Sequence, residues 1–560
     1  MSEPVLEVQG LSTHFFTRQG EIPAVRDVSF SLQPGEVLGL VGESGSGKSV
    51  TGFSLLGLVD APGRIVAGSV KLDGQELVGL AEPELRALRG RDISMIFQDP
   101  IATLNPMLSI GDQMRMALLA HEKRSLQEAN KKCVDLLRRV GITEPEAGLR
   151  AYPHEYSGGM RQRVAIAIAL LHNPSVIIAD EPTTALDVSI QAQILNEMRE
   201  LVRETGTALI WISHDLAVVA SLADRIAVMY RGEIIETGPT FDVLRAPKQE
   251  YTANLLAALP ANTEPGQLLA QGGVVRSVLN VPEMPAPPEN DHFLSVSGAN
   301  RVFFPSISLG EKIAGLMGAG SGRRSTHAVK NVTLRVARGE TLGLVGESGS
   351  GKSTLGRLMA GILAPTSGQV LLDDAPVMQE GKKATLRIQT IFQDPFASLN
   401  PRMKVGRAVS EGALAHNLLS PSEASAYVKS WFEKVGLEPE WAERYPHQFS
   451  GGQRQRVAIA RALAMQPEVL ICDEPVASLD VSIQAQIINL FLELQRSLGL
   501  TMVFISHDLS VVRHVSDRVA VMYLGEIVEL GPAEEIYKAP KHDYTMRLLN
   551  AVPVLDLKVD

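Results

Sequence analysis

The chain has 560 residues, enough for several domains and more than one large core. Its composition is globular, 45% hydrophobic and 21% charged, and its formal net charge of −10 argues against nucleic acid as the main partner, because polyanion binding asks for a basic face. Two cysteines, Cys133 and Cys472, are too few for a zinc ribbon or an iron–sulfur site, so neither zinc nor an iron–sulfur cluster is expected. They read instead as small buried hydrophobes in a reducing compartment. The opening "MSEPVLEVQG" lacks the apolar stretch of a secretion signal, and apolar runs such as Val164–Leu171 fall far short of the roughly 20 residues needed to span a bilayer. The expectation is a soluble chain that docks on a membrane protein.

The first clear element is the apolar run "EVLGLVG" ending at Gly42, read as a buried strand entering a tight turn. Gly42-Glu-Ser44-Gly45-Ser46-Gly47-Lys48-Ser49 fits G-x-x-x-x-G-K-[ST]. Its glycines let successive backbone N–H groups face phosphate oxygens, and the helix that follows adds its positive N-terminal end. Lys48 would neutralise the β- and γ-phosphates, and the Ser49 hydroxyl would serve Mg²⁺. Gln98 in "FQDP" is placed to reach Mg²⁺ or an attacking water from a mobile hinge. The stretch from Asp99 to roughly His154 is rich in helix formers and predicts a helical insertion. Ser157-Gly158-Gly159 precedes the helix "RQRVAIA"; alone it is an ordinary N-cap, but a serine and two glycines there also make a second phosphate-binding cap. The apolar run "SVIIAD" predicts a parallel strand covered on both faces, closing on Asp180, a Mg²⁺ holder through its water shell, and on Glu181, placed to polarise a water. Taken alone, that carboxylate pair is also an ordinary solvated turn. Asp187–Gly206 has helical periodicity with a glycine stop, and "ALIWISHD" is another buried strand ending near His214. His214 is either a strand-end histidine bonded to backbone or a donor to the γ-phosphate.

Beyond Leu259 nearly everything returns. The loop LGLVGESGSGKS recurs at Leu342–Ser353, placing Gly346, Ser348, Gly349, Ser350, Gly351, Lys352 and Ser353 where the first copy has its phosphate cradle. Lys352 follows Lys48 by 304 residues (352 − 48), and Gln393 follows Gln98 by 295 (393 − 98). Ser450-Gly451-Gly452, Asp473, Glu474 and His507 follow their counterparts by a constant 293, as 450 − 157, 474 − 181 and 507 − 214 show. The helix-rich insertion recurs from Asp394 to roughly His447. The copies differ in detail: Thr354 follows Ser353 where Val50 follows Ser49, so the second site gains a hydroxyl, and Gln453 stands where the first copy has Met160. The expected organisation is a first domain at 1–260 with a helical subdomain near 99–156, a Pro/Gly-rich linker at 261–292, and a second domain at 293–555 with its helical subdomain near 394–449. Pro305–His327 reads as a loop inserted in the second copy. Strands alternating with helices predict an α/β fold with a parallel sheet in each copy.

This set, in this order, resembles the ATP-binding cassette (ABC) ATPases over almost the whole chain. The resemblance implies two tandem P-loop NTPase domains, each a RecA-like α/β core with an inserted helical subdomain. It makes the glycine loops Walker A, Gln98 and Gln393 the Q-loops, Ser157–Met160 and Ser450–Gln453 the signatures, Asp180 and Asp473 Walker B, Glu181 and Glu474 the catalytic bases, Asp187 and Asp480 part of the D-loops, and His214 and His507 the switch histidines. ATP and Mg²⁺ are the implied ligands. An aromatic residue normally stacks on adenine, and the candidates are Phe15 and Phe304, or their neighbours Phe16 and Phe303. "FQDPxxxLNP", "YPHEYSGGMRQR" and the closing "APKQEYTANLLAALP" and "APKHDYTMRLLNAVP" look like the ATPase subunits of bacterial peptide/nickel-type importers, here fused as in glutathione and microcin-type systems. The closing elements depart from the H-P-Y-T of that family, reading Gln249-Glu250-Tyr251-Thr252 and His542-Asp543-Tyr544-Thr545, and the cysteine-rich tail of many relatives is missing.

The resemblance further implies that the two halves pair head to tail, each ATP touching Walker A of one half and the signature of the other. It implies two transmembrane permease subunits as partners, an extracytoplasmic substrate-binding protein acting indirectly, and a place on the cytoplasmic face of the bacterial inner membrane. Peptides or peptide-like compounds are the expected cargo, with nickel, opine or sugar-like cargo as the rival. A translation-factor ATPase acting on ribosomes is the alternative of another class, disfavoured by a seam that is short and not basic.

Overall fold

The computed structural model describes residues 3–18, 20–99, 103–183, 186–271, 274–275, 292–304, 325–477 and 479–553. Most of the seam and most of the insertion expected at 305–327 lie outside the described residues. The chain forms two compact units, the first built on Met1–Leu256 and the second on Ala257–Asn550.

In the first unit a six-stranded sheet runs in the order Glu233–Pro239, Arg225–Tyr230, Val37–Val41, Ala208–Ser213, Val176–Asp180, Ile93–Ile96. All neighbours are parallel except the first pair, which is antiparallel. The strands Val37–Val41, Val176–Asp180 and Ala208–Ser213 are buried at every position, which is why they read as unbroken apolar runs. Fully burying each Val, Leu or Ile side chain contributes about 1.5–3 kcal/mol, so this strand trio anchors the unit. The second unit repeats the sheet as Ile388–Ile391, Val469–Asp473, Thr501–Ile505, Thr341–Val345, Arg518–Tyr523, Glu526–Pro532. Its three central strands are buried at every position as well.

Each unit also carries an antiparallel sheet that the sequence analysis does not foresee. In the first it runs Gly20–Leu32, Leu6–Thr17, Gly63–Leu72, Gln75–Glu76, and in the second Thr326–Val336, Leu294–Phe303, Ser367–Leu372, Ala375–Pro376. Register shifts between Val8 and Leu11, Leu11 and Thr13, and Thr13 and His14 break the alternation of buried and exposed residues that would have announced it. The helix-rich stretches hold Ile110–Leu119 and Leu126–Arg139 in the first unit, and Val405–Ala415 and Ala424–Lys434 in the second. Ser109 and Ser125 cap the first pair by accepting from the backbone N–H of Asp112 and Glu128.

The linker expected at 261–292 needs correction at its start. Residues Pro260–Gln271 belong to the second unit, fastened to its helices Val481–Leu498 and Leu509–Val515. The buried Asn489 side chain accepts from Leu269 N–H at 2.8 Å and donates to Leu269 C=O at 2.9 Å. Gly266 N–H donates to His514 C=O at 2.8 Å, the His514 ring bonds Gln267 C=O at 2.8 Å, and Arg496 donates to Gly266 C=O. Proline and glycine removed the periodicity from this stretch without removing its contacts.

Candidate active site

In each unit a buried strand runs straight into the glycine loop. Gly42 has φ +152° and Gly346 +148°, and a Cβ on either would lie 2.2 Å from the backbone carbonyl oxygen of Met229 or Met522, so no other residue fits there. The loop closes with Ser46 N–H donating to Glu43 C=O and Ser350 N–H to Glu347 C=O, both at 3.1 Å. Helices Lys48–Leu55 and Lys352–Met359 then start behind Gly47 and Gly351, left-handed N-caps that carry no side-chain cap. Each helix thus turns its positive N-terminal end to the loop, where an anion is favoured. Ser44, Gly45, Ser348 and Gly349 form the exposed rim of the loops.

Lys48 is buried, its Nζ donating to Gly42 C=O at 2.7 Å and Glu43 C=O at 2.9 Å; Lys352 does the same to Gly346 and Glu347 at 2.7 and 2.8 Å. Ser49 Oγ donates to Asp180 Oδ1 at 3.0 Å, and Ser353 Oγ to Asp473 Oδ1 at 2.8 Å. Glu181 and Glu474 sit one residue beyond the strand, at φ 44° and 50°, a conformation side chains with a Cβ rarely take. Each is fixed by its own N–H donating at 2.9 Å to Ile212 or Ile505 on the neighbouring strand. Gln98 Nε2 donates to Glu181 Oε2 at 2.8 Å, and Gln393 Nε2 to Glu474 Oε2 at 2.8 Å. His214 Nδ1 lies 3.0 Å from Glu181 Oε1, and His507 Nδ1 3.3 Å from Glu474 Oε2. Six predicted residues thus meet in each unit.

Electrostatics follow from depth. Burial pushes the Asp180 carboxyl up to about 6, against the Ser49 hydrogen bond and with help from the Glu181 charge; burial raises Asp473 likewise. Burial opposes charge on Glu474, yet the His507 hydrogen bond and the charges of His507 and Lys352 together outweigh it and hold the carboxyl low. The same bond raises His507, and at His214 the Glu181 carboxylate overcomes burial to raise the imidazole. The Glu474–His507 pair therefore favours its charged form, and the His214 imidazole its protonated one.

The remaining predicted residues lie elsewhere. Ser157 and Ser450 cap the helices Gly158–Ala169 and Gly451–Leu463, accepting from Met160 and Gln453 N–H at 3.3 Å. Gln453 returns a bond by accepting from Ser450 N–H at 3.0 Å, which Met160 cannot do. Val50 packs against the first unit's core, so its methyl groups have a structural use where Thr354 offers a hydroxyl. The four aromatic candidates fall into two structurally matched pairs. Phe15 pairs with Ile22 and Gly63, and the shared pattern of register shifts makes Phe303, which pairs with Thr326, its counterpart. Phe304 lies one residue past that strand, 74% exposed, and corresponds to Phe16. Sequence reasoning passed over Asp215 and Asp508, which cap the helices behind the two histidines by accepting from two backbone N–H groups each. An aspartate just before an apolar helical run is the signal that finds them.

Comparison with known proteins places this geometry in a family. The ABC transporter family matches at residues 25–184 and 329–477, and the oligopeptide/dipeptide transporter C-terminal region at 235–283 and 528–560. The glutathione import ATP-binding protein GsiA of Pectobacterium atrosepticum is 46% identical over 571 residues, covering 99% of this chain and 90% of that protein. GsiA of Escherichia coli (strain K12) is 46% identical over 575 residues, with 99% and 90% covered. GsiA of Salmonella choleraesuis is 44% identical over 575 residues at the same coverage. With a loop lysine, paired carboxylates and a histidine gathered twice, and both family regions matched twice, the chain belongs to the ABC transporter ATPases, as a tandem cassette protein of the oligopeptide/dipeptide branch.

Proposed function

We propose that this chain is the ATP-hydrolysing, energy-coupling subunit of an importer for peptides or peptide-like compounds. The carrying observation is the pair of Gln–Glu–His clusters, Gln98–Glu181–His214 and Gln393–Glu474–His507, each beside its phosphate loop. Glutathione, the cargo in the relatives' names, is itself a small peptide-like compound, which supports that class over nickel, opine or sugar-like cargo. Among the described residues no helix is long and apolar enough to cross a membrane, so transport needs membrane partners. Two permease subunits and a substrate-binding protein outside the membrane complete the reading, with this chain at the inner membrane's cytoplasmic face. Transporter C-terminal matches in both halves favour this over a ribosome factor.

In each unit the lysine, loop N–H groups and helix N-terminus bind the phosphates. Phe15 and Phe304, or their neighbours Phe16 and Phe303, are the candidates to stack on adenine. The Glu181 and Glu474 carboxylates, oriented by glutamine and histidine, take the proton of the attacking water. Ser49, Gln98 and Asp180, with Ser353, Gln393 and Asp473, supply hard oxygen donors of the kind Mg²⁺ takes, and the Ser–Asp contacts bring two of them together in each unit. When bound, the ion would offset phosphate charge. Each site would be completed by the other half's signature, Lys48, Glu181 and His214 by Ser450 and Gly452, and Lys352, Glu474 and His507 by Ser157 and Gly159. Hydrolysis would then remove the shared γ-phosphate and release the halves.

Single Glu181→Gln and Glu474→Gln variants test the two-site reading through steady-state ATP hydrolysis. Each should lower turnover and the double variant should lose about 10²-fold or more. One variant inactive and the other unimpaired would refute two working sites.

A further inference from the structure

The closing "EYT" and "DYT" elements reach back to the phosphate loops. Glu43 N–H donates to the Tyr251 hydroxyl at 3.2 Å, and Glu347 N–H to the Tyr544 hydroxyl at 2.9 Å. These N–H groups belong to the peptide units Gly42–Glu43 and Gly346–Glu347, whose carbonyls accept from Lys48 and Lys352 at 2.7 Å. One peptide plane is thus held on both edges, by lysine on its C=O and by tyrosine on its N–H. The tyrosine is itself held twice. Its ring lies against Tyr230 or Tyr523, centroids 4.3 and 4.1 Å apart, at the end of the strand whose Met229 or Met522 carbonyl abuts the loop glycine. Its helix is anchored by Glu236, which accepts from Lys248 and Gln249 N–H at 2.7 and 3.2 Å, and by Glu529, which accepts from Lys541 and His542 N–H at 2.8 and 3.1 Å. The two residues before it differ between the copies, Gln249-Glu250 and His542-Asp543, while the tyrosine and its contact persist.

We propose that Tyr251 and Tyr544 are positioning residues for the loop lysines: by fixing the peptide plane that holds each ammonium, they set nucleotide affinity. A rotated peptide would turn the carbonyl away from the lysine, leaving it only its bond to the Glu43 or Glu347 carbonyl and a looser place beside the phosphate-binding N–H groups. The inference rests on the reading that these loops bind ATP phosphates.

The test uses the full chain with Tyr251→Phe, Tyr544→Phe and both together, which keep the rings and remove the hydroxyls. ATP binding by calorimetry and steady-state hydrolysis are the readouts. The expected result is a Kd and KM about 3–10-fold higher in the double variant, with kcat within about twofold of the parent and unliganded melting unchanged. Thr252→Val, a buried neighbour on the same helix, should leave KM unchanged; an equal rise there would mean general destabilisation and overturn the positioning role. Unchanged Kd and KM in the double Tyr→Phe variant also overturn it, with ATP binding left intact. ATP binding that survives Lys48→Ala combined with Lys352→Ala overturns the loop reading, and the inference with it.

Discussion

Glu181 and Glu474 occupy left-handed backbone, φ 44° and 50°, directly after a buried strand. Strain of this kind costs about 1–3 kcal/mol and is held in place by surroundings, here the N–H bonds to Ile212 and Ile505. The backbone itself therefore restricts these positions. Glu181→Gln keeps a side chain that tolerates the conformation, whereas Glu181→Val brings β-branching into it. Both remove the carboxylate, but Glu181→Val should be less stable than Glu181→Gln by about 1–2 kcal/mol, read by denaturant melts without nucleotide. Equal stabilities would mean the backbone relaxes freely there. That these residues would gather was legible in the sequence, because glycine spacing and strand-end carboxylates recur together in both halves. The Tyr251–Glu43 contact was not, since it spans 208 residues and leaves no local pattern.

The duplicated helices Val188–Thr205 and Val481–Leu498 show how the same element takes two surroundings. Asn489 is buried and makes both of its bonds to Leu269, whereas Asn196, at the matching position, is exposed. Asn489→Ala would leave a buried N–H and C=O without partners and should cost about 2–3 kcal/mol, while Asn196→Ala should stay within about 0.5 kcal/mol. Equal effects in thermal melts would remove the distinction. Parallel strands were readable as elements because double-sided burial writes continuous apolar runs. The antiparallel sheets were hidden by their register shifts, and the docking of Pro260–Gln271 was hidden because Asn489 looks like any polar residue on a helix.

At the scale of the whole molecule, the division of the chain does not follow the division of its repeat. Pro260–Gln271 trails the first cassette in sequence yet is bonded to the second unit through Asn489, Arg496 and His514. A fragment covering 257–560 should therefore melt above one covering 293–560, by roughly 5–10 °C if the lost contacts amount to a few kcal/mol. Identical melting points would show that the segment adds nothing to the second unit. A consequence reaches into how such proteins diversify. Two ancestral genes could exchange front halves cleanly only by crossing over before codon 257; a break a little later would graft a foreign strap onto helices shaped for another, and the hybrid would inherit a mismatch invisible from the cassette motifs.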